Sequence, residues 1–187
     1  MSGFRLRPYA AADEDAAIEL WRRAWQAARS DLDFTARLAW WRERWRSELV
    51  PGCAIVVAEI DADETAVETV VVEPVTMETV TAETVAGKAV AVGAGAAAAK
   101  RMIGFVTVDP RTGYLDQIVV APEAWGSPAA PALLAAAKRI APAGLELDVN
   151  QDNARAIRFY EKHGFAVSGS GVNPRSGAPI YRMSWRG

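Results

Sequence analysis

The sequence predicts a mixed α/β fold, a mixed sheet of about seven strands flanked by four helices. Short alternating or apolar runs at residues 4–7, 53–60, 102–108, 114–120, 145–149, 165–172 and 179–185 read as strands. The stretches between several of them carry apolar residues at helical spacing. The length, 187 residues, suits one domain spanning 1–187 and is enough to bury a core without covalent staples.

The elements follow in order. Phe4, Arg5, Leu6 and Arg7 alternate as a first strand. Asp13 opens an amphipathic helix with Ala17, Leu20, Trp21, Ala24 and Trp25 on one side. A second helix covers 34–49, with Leu38, Trp41, Trp45 and Leu49 on one stripe, and Pro51-Gly52 ends it. Residues 53–60 form a strongly apolar strand. Residues 102–108 and 114–120 pair across a turn, Asp109-Pro110-Arg111-Thr112-Gly113. A helix runs from near Pro131 to Ile140, a strand covers 145–149, and a helix at 153–162 is closed by Gly164. Residues 165–172 and 179–185 make a final strand pair. Five of the seven tryptophans fall in the first two helices, which predicts core packing. Trp40 and Trp41 are adjacent and cannot both face inward, so one of them is a candidate wall of a ligand pocket.

Composition narrows the function. The net charge is −2, with no basic excess for nucleic acid. One cysteine excludes an internal disulfide framework, and Cys53 with the single histidine, His163, cannot form a Cys/His zinc cluster, so no metal site is expected. No run reaches the ~20 apolar residues that span a bilayer, and the N-terminal residues do not read as a signal peptide. A cytoplasmic protein with no membrane partner is expected.

The charge is unevenly spread: residues 51–100 hold two basic and eight acidic groups. Most of these lie in a stretch at about 61–100 built almost wholly from Ala, Val, Thr, Glu and Gly, with no aromatic residue. It reads as a low-complexity insertion, flexible or a long β-ribbon. Within it, Gly93-Ala94-Gly95-Ala96-Ala97-Ala98 matches a dinucleotide-binding pattern. The next strand follows too soon for a crossover helix, so the match reads as chance in an Ala/Gly-rich stretch.

Two segments carry chemistry. The first runs from Tyr114 through Asp116, Ile118, Val120, Trp125 and Gly126 into a helix with Leu133 and Leu134. The second is Asn150-Gln151-Asp152-Asn153-Ala154-Arg155-Ala156-Ile157-Arg158-Phe159-Tyr160-Glu161-Lys162-His163-Gly164-Phe165. Asn153 and Tyr160 are two helical turns apart, so they share a face about 10 Å apart along the axis. A phenol with an ordinary pKa of about 10 stays protonated at neutral pH and suits a general acid. On the residues alone, Tyr160 is equally a core aromatic, Asn153 a helix cap and His163 a helix-end residue.

Together these segments strongly resemble the GNAT superfamily of acyl-CoA-dependent N-acetyltransferases, and the element order fits that family from Phe4 to Trp185. The resemblance implies a sheet whose central fourth and fifth strands splay apart. It implies acetyl-CoA as cofactor, with coenzyme A as product, bound between 118–120 and 145–149. The main chain of Ile118 and Val120 would pair with the pantetheine amides, Asn153 would touch the pantetheine arm, and Tyr160 would protonate the departing thiolate. The family's phosphate loop, Q/R-x-x-G-x-G/A, aligns with Trp125-Gly126-Ser127-Pro128-Ala129-Ala130. Trp125 stands at the Gln/Arg position and Pro128 at the central glycine. Pro128 and Pro131 each lack an N–H. The loop either binds the pyrophosphate more weakly, through the N–H groups of Gly126, Ser127, Ala129 and Ala130, or no longer binds it. A helix start displaced toward Pro131, or a distorted first turn, is expected. Asp116 is a candidate general base, placed by strand alternation on the face of Tyr114 and Ile118. It is equally a surface acid.

Two functions follow from the resemblance. One is an N-acetyltransferase acting by direct attack of a primary amine, on a small molecule or a peptide N-terminus. Main-chain N–H groups would then stabilise the oxyanion. The other is a non-catalytic relative, an acyl-CoA or ligand-binding or partner-binding protein with a degenerate phosphate loop. A monomer and a homodimer are both compatible with the sequence.

Overall fold

Alternation at the start of the chain becomes strand β1 (Gly3–Pro8), with Phe4 in the core. The structure is a computed structural model that describes residues 3–61, 69–70 and 100–187. Most of the low-complexity insertion, including its dinucleotide-like pattern, lies outside the described residues. Asp13 closes a short turn by accepting the Ala10 N–H at 2.7 Å, and α1 (Glu14–Ala28) follows. Its apolar spacing buries Ala17, Ile18, Leu20, Trp21 and Ala24. Helix α2 (Leu38–Arg44) starts later than the expected 34–49: the Asp33 carboxylate accepts the Thr35 and Ala36 N–H groups in a turn, and the Phe34 N–H bonds to the Gln26 side chain. A π turn (Trp45–Leu49) and a last turn (Val50–Gly52) extend it. The predicted stripe still holds: Trp41, Trp45 and Leu49 are buried.

The remaining strands are β2 (Ala54–Asp61), β3 (Lys100–Asp109), β4 (Tyr114–Val120), β5 (Gly144–Asn150), β6 (Ala166–Val172) and β7 (Pro179–Arg186). The remaining helices are α3 (Ala129–Ile140) and α4 (Ala154–Lys162). The sheet runs β1-β2-β3-β4-β5-β7-β6, and a two-residue strand, Thr69–Val70, lies parallel outside β1. Of these seven strands, only β4 and β5 neighbour in parallel; the other pairs are antiparallel. This is the mixed sheet with four helices that the sequence predicts.

Helices cover both faces. Gly104 of β3 faces α3, where an added Cβ would lie 2.8 Å from Leu133 Cδ1. The next residue, Phe105, meets the Trp45 ring edge-on at 5.2 Å on the other face. Trp21 of α1 stacks on Trp41 of α2 at 4.5 Å, which locks the two Trp-rich helices together. Among the described residues, no helix is long and apolar enough to cross a membrane.

Candidate active site

The site begins where β4 and β5 part. They share one register position, Tyr114 opposite Glu146, supported by a 3.0 Å bond from the Glu146 N–H to the Gly113 carbonyl. A β-bulge in β4 lies next to this point. Val108 lies opposite Leu115 and Thr107 opposite Gln117, so Asp116 is the extra residue. Among the described residues, the β5-facing edge of β4 beyond this point, which includes Ile118 and Val120, has no strand partner. The bulge also corrects a detail of the sequence reading: simple alternation from Asp116 to Ile118 is broken, and Asp116 instead accepts from the side chain of its neighbour Gln117 at 3.0 Å.

At the end of β4 the chain turns through Pro122–Ala124 into Trp125, Gly126, Ser127 and Pro128. Gly126 has φ +87°, a conformation that favours glycine. Helix α3 starts at Ala129, with Pro128 as its cap. The expected displacement toward Pro131 is not found. Pro131 falls in the first turn, where its missing N–H had no helical acceptor to lose, and Ala130 is helical before it. The Ser127 N–H bonds to the Ala124 carbonyl at 3.2 Å, and the Ala129 N–H to Ser127 Oγ at 3.3 Å. That leaves the Gly126 and Ala130 N–H groups at this end of the helix without a protein acceptor among the described residues. Trp125 is half-exposed. Its indole donates to the Val120 carbonyl at 2.9 Å, and the Arg155 guanidinium of α4 lies over its ring at 4.5 Å.

Asn153 caps α4, its side-chain oxygen accepting the Ala156 N–H at 3.1 Å. That leaves its amide N–H groups for other partners. Tyr160 is buried between Phe159 and Phe165. Burial, and then the nearby Tyr114, push its phenol well above the ordinary value, so its proton is firmly held. His163 ends the helix, its Nδ1 2.7 Å from the Phe159 carbonyl.

The apex of the splay holds a set of charges. Arg44, 8% exposed, grips both oxygens of Asp116, one at 2.9 Å, and donates to Glu48 at 2.9 Å. Burial by itself would lower the Arg44 pKa; the two carboxylates outweigh it and raise it. Tyr114 reaches Asp148 of β5 at 3.4 Å, and Asp148 also accepts from Arg182 at 3.3 Å. Partial burial, followed by Asp148 and Asp116, pushes the Tyr114 phenol up to about 12. Trp40, 45% exposed, lies under the Arg175 guanidinium, which bonds to Glu48 at 3.5 Å. Of the adjacent pair, Trp41 is the buried one and Trp40 faces out.

The sequence reading missed Arg44, Glu48, Asp148 and Arg175. Asp148 lies at a polar position of an alternating strand and Arg44 beside a Trp stripe, positions where surface charges are ordinary. Only their meeting with Tyr114 and Asp116 across the sheet sets them apart.

The arrangement is matched by known proteins. The profile of the acetyltransferase (GNAT) family matches residues 14–165. No curated protein sequence matches the chain. Among solved structures, apo YjaB from Escherichia coli is 18% identical with a TM-score of 0.64, covering 97% of each chain. The PaiA N-acetyltransferase of Thermoplasma acidophilum, solved with coenzyme A, is 16% identical with a TM-score of 0.64, covering 98% of this chain and 99% of its own. The ribosomal-protein-S18-alanine N-acetyltransferase of Escherichia coli is 16% identical with a TM-score of 0.60, covering 98% and 93%. At such identities these structures speak for the fold, and the profile match over most of the length speaks for descent: the chain belongs to the GNAT acetyltransferase family.

Proposed function

We propose that the protein is an N-acetyltransferase that moves the acetyl group of acetyl-CoA to a primary amine by direct attack. The observation that carries this reading is the splay of β4 from β5 with the Tyr160 phenol buried beside it. Acetyl-CoA, when bound, supplies an acyl group on a thiolate leaving group. The unpartnered edge of β4 at Ile118 and Val120 offers main-chain groups to an amide-bearing arm, and the Asn153 amide offers another donor. The Gly126 and Ala130 N–H groups, at the positive end of α3, suit a pyrophosphate. Tyr160 holds its proton at neutral pH and gives it to the leaving sulfur. Family membership and the coenzyme A-bound relative support an acyl-CoA ligand. The amine, from a small molecule or a peptide N-terminus, meets the acetyl group near the apex of the splay, beside Tyr114 and Asp148.

A second reading, an acyl-CoA-binding protein without turnover, draws on two features: Pro128 removes a loop donor, and Trp125 already occupies the Val120 carbonyl. Calorimetry with acetyl-CoA followed by thiol release against a panel of amines separates the two. The acetyltransferase reading expects both binding and release; binding alone supports the second. Tyr160→Phe should slow release by about a hundred-fold or more while the Kd for acetyl-CoA holds. Unchanged turnover would remove Tyr160 from this role.

A further inference from the structure

Three observations bear on where the proton of the acceptor amine goes. Asp116, the carboxylate nearest the bulge, already accepts two donors from Arg44 and one from Gln117. Protonating it would break a buried ion pair and strand Arg44 without its main counter-charge. Asp148 is held more loosely. Its two contacts are single bonds at 3.3 and 3.4 Å, and its side chain is 24% exposed, so a ligand can reach it. It also stands at the apex of the splay, two residues beyond the Tyr114–Glu146 pairing, with its partner Tyr114 close enough to act on Tyr160.

We propose that Asp148, rather than Asp116, takes the proton from the acceptor amine, with Tyr114 and Arg182 as positioning residues that aim its carboxylate. This rests on the acetyltransferase reading above. Asp148 removes one proton from the ammonium group. The freed lone pair forms the C–N bond at the acetyl carbon, and the C–S bond breaks with its electron pair leaving on sulfur. Tyr160 protonates that sulfur and is restored by the surplus proton of the new amide nitrogen. Asp148 then releases its proton to water, so each turnover yields one amide, one thiol and one H⁺. The titratable and charged groups around Asp148 are Tyr114 from β4, Arg182 from β7, Tyr160 from α4 and, further out, the Arg44–Asp116 pair.

The test follows thiol release from acetyl-CoA between about pH 6 and about pH 10, with spermidine, tobramycin and an alanine-terminated hexapeptide as acceptors. Asp148→Asn should lose about a hundred-fold in kcat/KM near neutral pH and recover to within about ten-fold near pH 10, where much of the amine is already neutral. Its Kd for acetyl-CoA by calorimetry should match the wild type. Arg182→Met, at an exposed side chain, should lower kcat while the Kd for acetyl-CoA holds, because the carboxylate is no longer aimed. An Asp148→Asn profile that runs parallel to the wild type, or an unchanged kcat in Arg182→Met, overturns the assignment alone. Wild-type protein that binds acetyl-CoA but turns over none of the acceptors, or that does not bind it, overturns the acetyltransferase reading and the assignment with it.

Discussion

Trp45 illustrates how a large polar-tipped side chain can be buried completely. Its rings pack on Tyr9, Trp41 and Phe105, and its indole donates to the Tyr9 hydroxyl at 3.1 Å. Tyr160 and Asn153 became candidates through the family resemblance, which a single unbroken run of residues carries. Arg44 and Asp148 did not, since their partners are 72 and 34 residues away. Gly113 marks the same boundary. Its turn was legible, but not the reason only glycine serves there. With φ +73°, it sits against the Gly144 carbonyl oxygen, where an added Cβ would collide. Gly113→Ala should therefore destabilise the fold by about 2 kcal/mol or more, read as a lower urea midpoint with an unchanged slope.

Helices and strands were legible to within a few residues at most ends, and the exceptions have physical causes. In α2, apolar residues at Leu38, Trp41, Trp45 and Leu49 fit a regular helix as well as one with a π turn, so the sequence pattern could not distinguish them. In β4, alternation was the wrong guide because the ladder slips by one residue at Asp116. The start of α3 was misjudged in the other direction. Proline was expected to repel the helix, yet the first turn has no N–H bonds for Pro131 to break. Pro128 is a different matter, for on the acetyltransferase proposal it stands where an N–H would serve the pyrophosphate. Pro128→Ala restores that donor. Acetyl-CoA affinity should rise about ten-fold, measured by calorimetry, since a hydrogen bond to a charged group contributes about 1.5–3 kcal/mol.

At the scale of the whole molecule, charge partition and ion pairing matter more than the net −2. Outside 61–100 the chain carries more basic than acidic groups, which suits an anionic ligand. Arg7 clamps the first strand to both its neighbours, with bonds of 2.6 and 2.8 Å to Asp13 and 2.7 Å to Glu59 of β2. Arg7, joined by the Ala10 N–H, holds the Asp13 carboxyl below the usual range despite partial burial. A carboxyl with a depressed folded pKa adds stability above its unfolded pKa of about 3.9 and loses it as pH falls through the folded value. The melting temperature of the wild type should thus fall below about pH 4. Asp13→Asn should melt lower at neutral pH and show a shallower acid slope; a slope equal to the wild type would dissociate Asp13 from the acid transition.

The Arg44–Asp116 ion pair joins two places where the backbone has one residue too many. Arg44 is the last regular residue before the π turn of α2, and Asp116 is the bulge residue of β4. Each irregularity offsets the phase of everything after it: the helix face beyond Trp45, and the side-chain faces of the strand beyond Gln117. The pair therefore acts as a reference mark between two counted sequences. Deleting Asp116 would let Leu115 and Gln117 follow Val108 and Thr107 as consecutive ladder pairs, so the strand faces downstream would keep their places while the carboxylate that Arg44 grips would be gone.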